Sequence, residues 1–153
     1  MTDFNIKNII IFIITLLACS CSTDTVYHKY QPINKNGWNR NDTISFIMPD
    51  SMKNGVYNAE IGIRHTESYK YMDLWLSAVF PQSNKADTFH VFLANDRGNW
   101  NSSGSTGGFF QISTESLKFN YIPSEDSVIR IYHIMKDNPL LEITDIGLKI
   151  TKE

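Results

Sequence analysis

Cysteine is nearly absent from this chain: of 153 residues only Cys19 and Cys21 carry a thiol, so the sequence beyond them is held together without disulfides. An excess of one charge is missing too. Fourteen Lys and Arg stand against sixteen Asp and Glu, a net charge of −2 with no basic run, which excludes an electrostatic footprint for nucleic acid. No apolar run approaches the roughly 20 residues that a membrane-spanning helix needs; the longest, Ile9 to Leu17, has nine. There is no G-x-S-x-G elbow, no P-loop and no H-E-x-x-H. Aromatic side chains, by contrast, are plentiful at 12%, with three Trp, seven Tyr and nine Phe, and flat rings pack well on pleated surfaces.

The first residues have the layout of a secretory leader. Lys7 supplies a small positive region weakened by Asp3, and Ile9 to Leu17 has the length of a signal-peptide apolar segment. It ends in Leu16-Leu17-Ala18-Cys19, which resembles a bacterial lipobox, where the cysteine receives the lipids. Cys21, after Ala18-Cys19-Ser20, is the second candidate; the competing reading is an ordinary cleaved signal or short anchor with incidental cysteines. The expected division is a lipoprotein signal peptide over 1–18, a polar lipidated tether over 19–36 and a folded domain over 37–153. Acylation at Cys19 would make the lipid bilayer a partner. The lack of an acidic cluster directly after it favours a membrane-anchored protein of the Gram-negative envelope that faces the periplasm.

From Val56 to Phe80 the chain carries two strand patterns. Tyr57, Ala59, Ile61, Ile63 and His65 alternate with polar residues, and Leu74, Leu76, Ala78 and Phe80 share a face with Trp75 and Val79 opposite. Being apolar on both faces, the second strand is expected deep inside, with Trp75 in the core. The six residues between, Glu67 to Met72, predict that the two strands pair as an antiparallel hairpin. Further strands are expected at Thr43–Met48, Asp87–Ala94, Gly108–Ser113, Ser116–Asn120, Ser127–Met135 and Ile146–Thr151, separated by turn signals, while Asn101–Gly108 reads as a mobile loop. No stretch has a helical period. The predicted fold is all-β, a single antiparallel β-sandwich, jelly-roll-like, whose core includes Ile61, Ile63, Leu74, Leu76, Phe89, Val91, Ile129 and Ile131.

No catalytic constellation emerges, and no metal or cofactor is implied. His65, His90 and His133 fall on predicted strands without the H-x-H…E spacing of a cupin metal site, and read as scattered half-buried or exposed histidines. Asp42, Asp73 and Asp87 precede strands, where carboxylates satisfy backbone donors. Arg64 reads as a partner for an acid on a solvated sheet face. Gly104–Gly108 lacks the Lys of a phosphate loop. The aromatics beside turns, Trp38, Trp100, Tyr69 and Tyr71, either cap an open end of the sandwich or contact a glycan or protein. Tyr69, Tyr71 and Trp100 form the candidate partner-binding surface, and a periplasmic carbohydrate-binding module is the alternative function.

Several segments in order carry a resemblance: Gly37-Trp38-Asn39, Ile63-Arg64-His65-Thr66, Tyr69 to Tyr71, Asp73-Leu74-Trp75-Leu76, Asp96-Arg97-Gly98 to Trp100, and Asp137-Asn138-Pro139-Leu140 before Ile143-Thr144-Asp145-Ile146-Gly147-Leu148. Together with the lipobox they span nearly the whole chain, which resembles the gliding motility lipoproteins called GldH. The resemblance implies a non-catalytic, lipid-anchored component of the envelope machinery for gliding and its associated type IX secretion. It implies other envelope proteins of that machinery as partners and Cys19 as the lipid acceptor, and brings no catalytic or ligand residue with it.

Overall fold

The computed structural model describes residues 24–83, 85–102, 104–124 and 127–153. The expected signal peptide, Cys19 and Cys21 lie outside them. Ten strands follow one another in the described residues: β1 (Thr25–Pro32), β2 (Ile44–Ile47), β3 (Gly55–Thr66), β4 (Asp73–Val79), β5 (Ala86–Phe92), β6 (Gly104–Thr106), β7 (Phe109–Ser113), β8 (Leu117–Tyr121), β9 (Val128–His133) and β10 (Ile143–Lys152). They form a six-stranded sheet, β1-β10-β3-β7-β6 with β8 also on β3, and a four-stranded sheet, β2-β9-β4-β5. Every pairing is antiparallel. The inner faces meet as an antiparallel β-sandwich, because each strand presents one apolar row that only another such row can cover.

The core follows the alternation closely. Ile61, Ile63, Leu74, Leu76, Ile129 and Ile131 are all at 1% exposure or less, Val91 is buried, and Phe89 packs partly buried against them. Ile146, Leu148 and Ile150 of β10 complete the inner face of the large sheet.

Four expectations fail, each for a physical reason. β3 and β4 do not pair: β3 is flanked by β10 on one side and by β7 and β8 on the other, and β4 by β5 and β9. Their apolar rows cover each other across the sandwich, so residues 67–72 arch over the roughly 10 Å between sheets rather than turning within one. Trp75 is not core. A strand in a two-layer sandwich has a single inner face, which Leu74, Leu76 and Ala78 occupy; Trp75 points outward at 39% exposure. The tether ends early, because residues 25–32 pair with β10 as β1. Gly104–Thr106, inside the expected loop, is a short edge strand on β7.

β1 is held by a side chain as well as by its ladder. Tyr30 lies opposite Gly147, which lies opposite Gly62, and the ring crosses both glycines. A Cβ at Gly147 would sit 2.5–2.8 Å from the Tyr30 ring, so only glycine leaves room for it. The Arg64 guanidinium stacks on the same ring at 3.8 Å and donates through Nε to Gln111 at 2.9 Å, with Asp145 in register beside it.

The antiparallel order sorts the loops. Residues 33–43, 67–72, 93–102 and 134–142 emerge at one end, while 48–54, 80–83 and the start of β1 at Thr25, which pairs with Thr151, lie at the other.

Candidate partner-binding end of the sandwich

The loop-rich end is built from segments far apart in the sequence. Gly37 adopts φ +98°, and a Cβ there would meet Leu141 Cδ2 at 2.8 Å and Pro139 Cβ at 2.9 Å. That close approach lets the Trp38 and Leu140 backbones exchange hydrogen bonds in both directions at 2.8 Å. Trp38 is 1% exposed, donates through Nε1 to Asp42 O at 2.7 Å, and meets the His133 ring edge-on at 5.2 Å. Arg40 ties the same corner by donating to the Met135 and Lys136 carbonyls.

A second cluster forms around His65. Its ring lies 4.7 Å from Trp100, 5.6 Å from Phe110 and 5.8 Å from Tyr69, and Tyr69 meets Tyr71 at 5.9 Å. Nδ1 of His65 is 2.9 Å from the Thr66 carbonyl, which can only accept, so the proton sits on Nδ1. Nε2 is buried without a partner among the described residues. Burial holds this imidazole below its ordinary pKa, against the opposing pull of that hydrogen bond. His133 has the same character: Nε2 donates to Trp38 O at 3.0 Å, Nδ1 has no partner among the described residues, and burial, with Arg40 nearby, lowers its pKa. Both histidines are fully buried, contrary to the scattered, half-buried or exposed placement expected from sequence; His90 is exposed.

The two clusters adjoin through a cleft of about 230 Å³ between Ser68–Tyr71 and Asp137–Glu142. Lys70 and Asp137 bridge it at 2.5 Å, and Lys70 Nζ stands 5.0 Å from the Tyr71 ring. The Lys70 hydrogen bond holds the Asp137 carboxyl below its usual range and raises Lys70 in turn. Thr66 Oγ1 donates to Glu142. Leu141 in the cleft wall is exposed at 55%, and Met72, which follows Tyr71 in the chain, at 46%.

The three residues expected to bind a partner are therefore brought together, but in unequal roles. Trp100 and Tyr71 are partly buried and keep accessible surface. Tyr69 is 4% exposed, donates to Asp73 O at 3.1 Å, and has its phenol pKa raised by burial. It supports the end from within rather than presenting a ring. Trp38, one of the turn-flanking aromatics that the carbohydrate reading could draw on, is inside. Among the described residues no group of three or more His, Cys, Asp or Glu side chains is placed to hold a metal ion.

Sequence reading missed an aromatic group on the outer face of the small sheet. Trp75 stacks on His90 at 3.9 Å and 10°, His90 lies 4.3 Å from Phe92, and Asp73 Oδ2 accepts from Trp75 Nε1 at 3.2 Å and pairs with His90 Nε2 at 2.7 Å. The signal was present as alternate positions, Asp73/Trp75 and His90/Phe92, but their adjacency depends on the β4–β5 register.

Residues 25–150 match the family model described as GldH lipoprotein. The chain is also 29% identical over 160 residues to a protein of Christiangramia forsetii named gliding motility lipoprotein GldH homolog, and the similarity covers 95% of each. The family match begins at the first residue of β1 and ends within β10, so it takes in both sheets.

Proposed function

The chain belongs to the GldH lipoprotein family, a gliding-motility lipoprotein family and not a known enzyme family, and on that premise we propose that its loop-rich end holds a protein partner of the gliding and type IX secretion machinery. The observation that carries this reading is convergence. The Gly37-Trp38, Ile63–Thr66, Tyr69–Tyr71, Trp100 and Asp137–Leu140 segments all reach that end; Tyr69–Tyr71, Asp137 and Pro139–Glu142 line its cleft, and Leu141 among them is exposed. β1 begins at the opposite end, so a lipid on Cys19 would tie that end to the membrane. β3 alone, at about 3.3 Å per residue, spans roughly 40 Å. The partner end would then stand well clear of the bilayer, on the periplasmic side. A tether from Cys19 to Thr25 adds at most about 20 Å of reach.

The test is a crosslinking pull-down from membranes with a tagged full-length copy. Trp100→Ala combined with Tyr71→Ala removes accessible rings and is expected to weaken recovery of the bound envelope protein while leaving the fold intact. Full recovery by a folded double variant removes this surface from consideration. Tyr69→Ala is the wrong probe, since that ring is structural. Intact mass of the membrane-extracted protein checks the anchor: the expected product begins at Cys19 and carries several acyl chains, as stable anchoring requires. Lipid retained by a Cys19→Ser variant would move the assignment to Cys21.

A further inference from the structure

The two outer faces of the sandwich are finished differently. On the large sheet the charged side chains answer one another: Lys149 pairs with Glu60 at 3.3 Å, Lys118 pairs with Glu153, and the Arg64 guanidinium lies on the Tyr30 ring with Asp145 in register beside it. That last group joins an aromatic ring, a carboxylate and a guanidinium, all from this chain. The small sheet carries the first two without the third. Trp75, Phe92 and Ile134 stay exposed on its outer face, Phe92 at 61%, and Asp73 beside them has no Lys or Arg partner among the described residues.

The register builds this spot. Leu93 N donates to Met72 O at 2.8 Å, which makes Asp73–Phe92 and Trp75–His90 non-hydrogen-bonded pairs, with Cα atoms about 4.5 Å apart and side chains at their closest. Asp73 therefore has Phe92 across the ladder and Trp75 two residues along on the same face. Its carboxylate is held in place through Oδ2, which accepts from Trp75 Nε1 at 3.2 Å and from His90 Nε2 at 2.7 Å. Oδ1 accepts no hydrogen bond among the described residues. The same two residues anchor the loop-rich end: the Tyr69 hydroxyl donates to Asp73 O and Asn101 Nδ2 to Phe92 O, each at 3.1 Å.

We propose that Asp73, flanked by the Trp75 and Phe92 rings, takes the guanidinium of an exposed arginine on the partner protein. The inference rests on the partner-binding reading of the adjoining loops and extends that interface onto the small sheet. A ring face attracts a cation, a carboxylate oxygen accepts its N–H groups, and a planar guanidinium satisfies both at once. Arg64 already shows the stacking half of this on Tyr30. The charge selects the occupant. A purely apolar segment laid over Trp75, Phe92 and Ile134 would strip water from Asp73 and leave Oδ1 unpaired, which is costly for an ionised group. A sugar could stack on the rings and offer a hydroxyl, but it would leave the negative charge uncompensated in a patch that has lost its water. An acidic segment would be repelled.

The experiment uses the full-length lipoprotein in detergent micelles. The probe is N-acetyl-arginine amide, and the control is N-acetyl-norleucine amide, which keeps an apolar stem and lacks the cation. The readout is the Trp75 indole N–H resonance, assigned by its loss in Trp75→Phe. The arginine probe is expected to move it saturably and the control to leave it in place. Asp73→Asn keeps an acceptor for the Trp75 indole and removes the charge, so it is expected to weaken binding of the probe by about ten-fold or more. Because that change also touches His90, Phe92→Leu on an exposed ring is the second variant, expected to weaken binding with the β-sheet circular-dichroism signal retained. No movement with the arginine probe, equal movement with the control, or undiminished binding by both folded variants each overturns the proposal. In the crosslinking pull-down from membranes, Asp73→Asn is expected to lower recovery of the partner. Full recovery by Asp73→Asn, with loss in the Trp100→Ala/Tyr71→Ala variant, overturns the arginine contact and leaves the loop-rich end standing. The reverse pattern overturns the loop-rich end and supports the arginine contact.

Discussion

Replacing Gly147 with Ala tests how the N-terminal strand is fastened. The added Cβ would lie 2.5, 2.7 and 2.8 Å from Cε1, Cζ and Cδ1 of Tyr30. The opposing atoms belong to a rigid ring spread over the backbone of two strands, so the ring must lift. Lifting it gives up the Arg64 stack at 3.8 Å, about 0.5–1 kcal/mol for a partly exposed cation–π pair, together with the ring's own packing. With the usual range for overpacking, the expected loss is about 1–3 kcal/mol. For a domain of this size that lowers Tm by about 3–5 °C for each kcal/mol. The decisive measurement is a double-mutant cycle in urea, followed by tryptophan fluorescence. In a Tyr30→Ala background the obstacle is gone, and Gly147→Ala is expected to be neutral or stabilising by roughly 0.5–1 kcal/mol, because glycine is the poorer residue inside a strand. Equal costs in the two backgrounds would refute the reasoning, since the penalty would then arise from the β10 backbone and not from Tyr30.

Three further outcomes are expected. His65 and His133 are held below their ordinary pKa in the folded state, so on acidification the unfolded chain takes up protons first. Stability should therefore rise with pH between the lowered folded values and about 6.5, and level off above; urea midpoints at several pH values check this, and His65→Gln should flatten the slope. Leu76→Ala, at a fully buried site facing β3, should cost about 2–5 kcal/mol by the same assay, and a loss under about 1 kcal/mol would contradict the sandwich packing. Gly37→Ala forces a side chain into left-handed backbone and against Leu141 and Pro139, so it should destabilise by about 1–3 kcal/mol, and it should loosen the Trp38–Leu140 contact, seen as faster amide exchange there.

The period of two along Tyr57–His65, Leu74–Phe80 and Ile129–His133 was enough to place the inward apolar rows of those strands, though not the full burial of His65 and His133, because alternation is a property of the strand itself and needs no neighbour. For the same reason the all-β class was legible from the chain alone. What lies beside a strand was not. Backbone hydrogen bonds carry no residue identity, so the six polar residues after Thr66 fit an in-plane turn as well as an arch between layers. Only the competition of β10, β7 and β8 for the edges of β3 decided for the arch. That choice put Trp75 outside, since two layers leave each strand one covered face. It also recruited residues 25–32, whose sequence alternates too weakly to announce a strand, because β10 offered a free edge and two glycines offered Tyr30 a seat. The candidate site belongs to the same category: its aromatic residues were visible one by one, but which rings are buried and which remain open was settled by the way Gly37, His65, Trp100 and Pro139 come together from four distant parts of the chain.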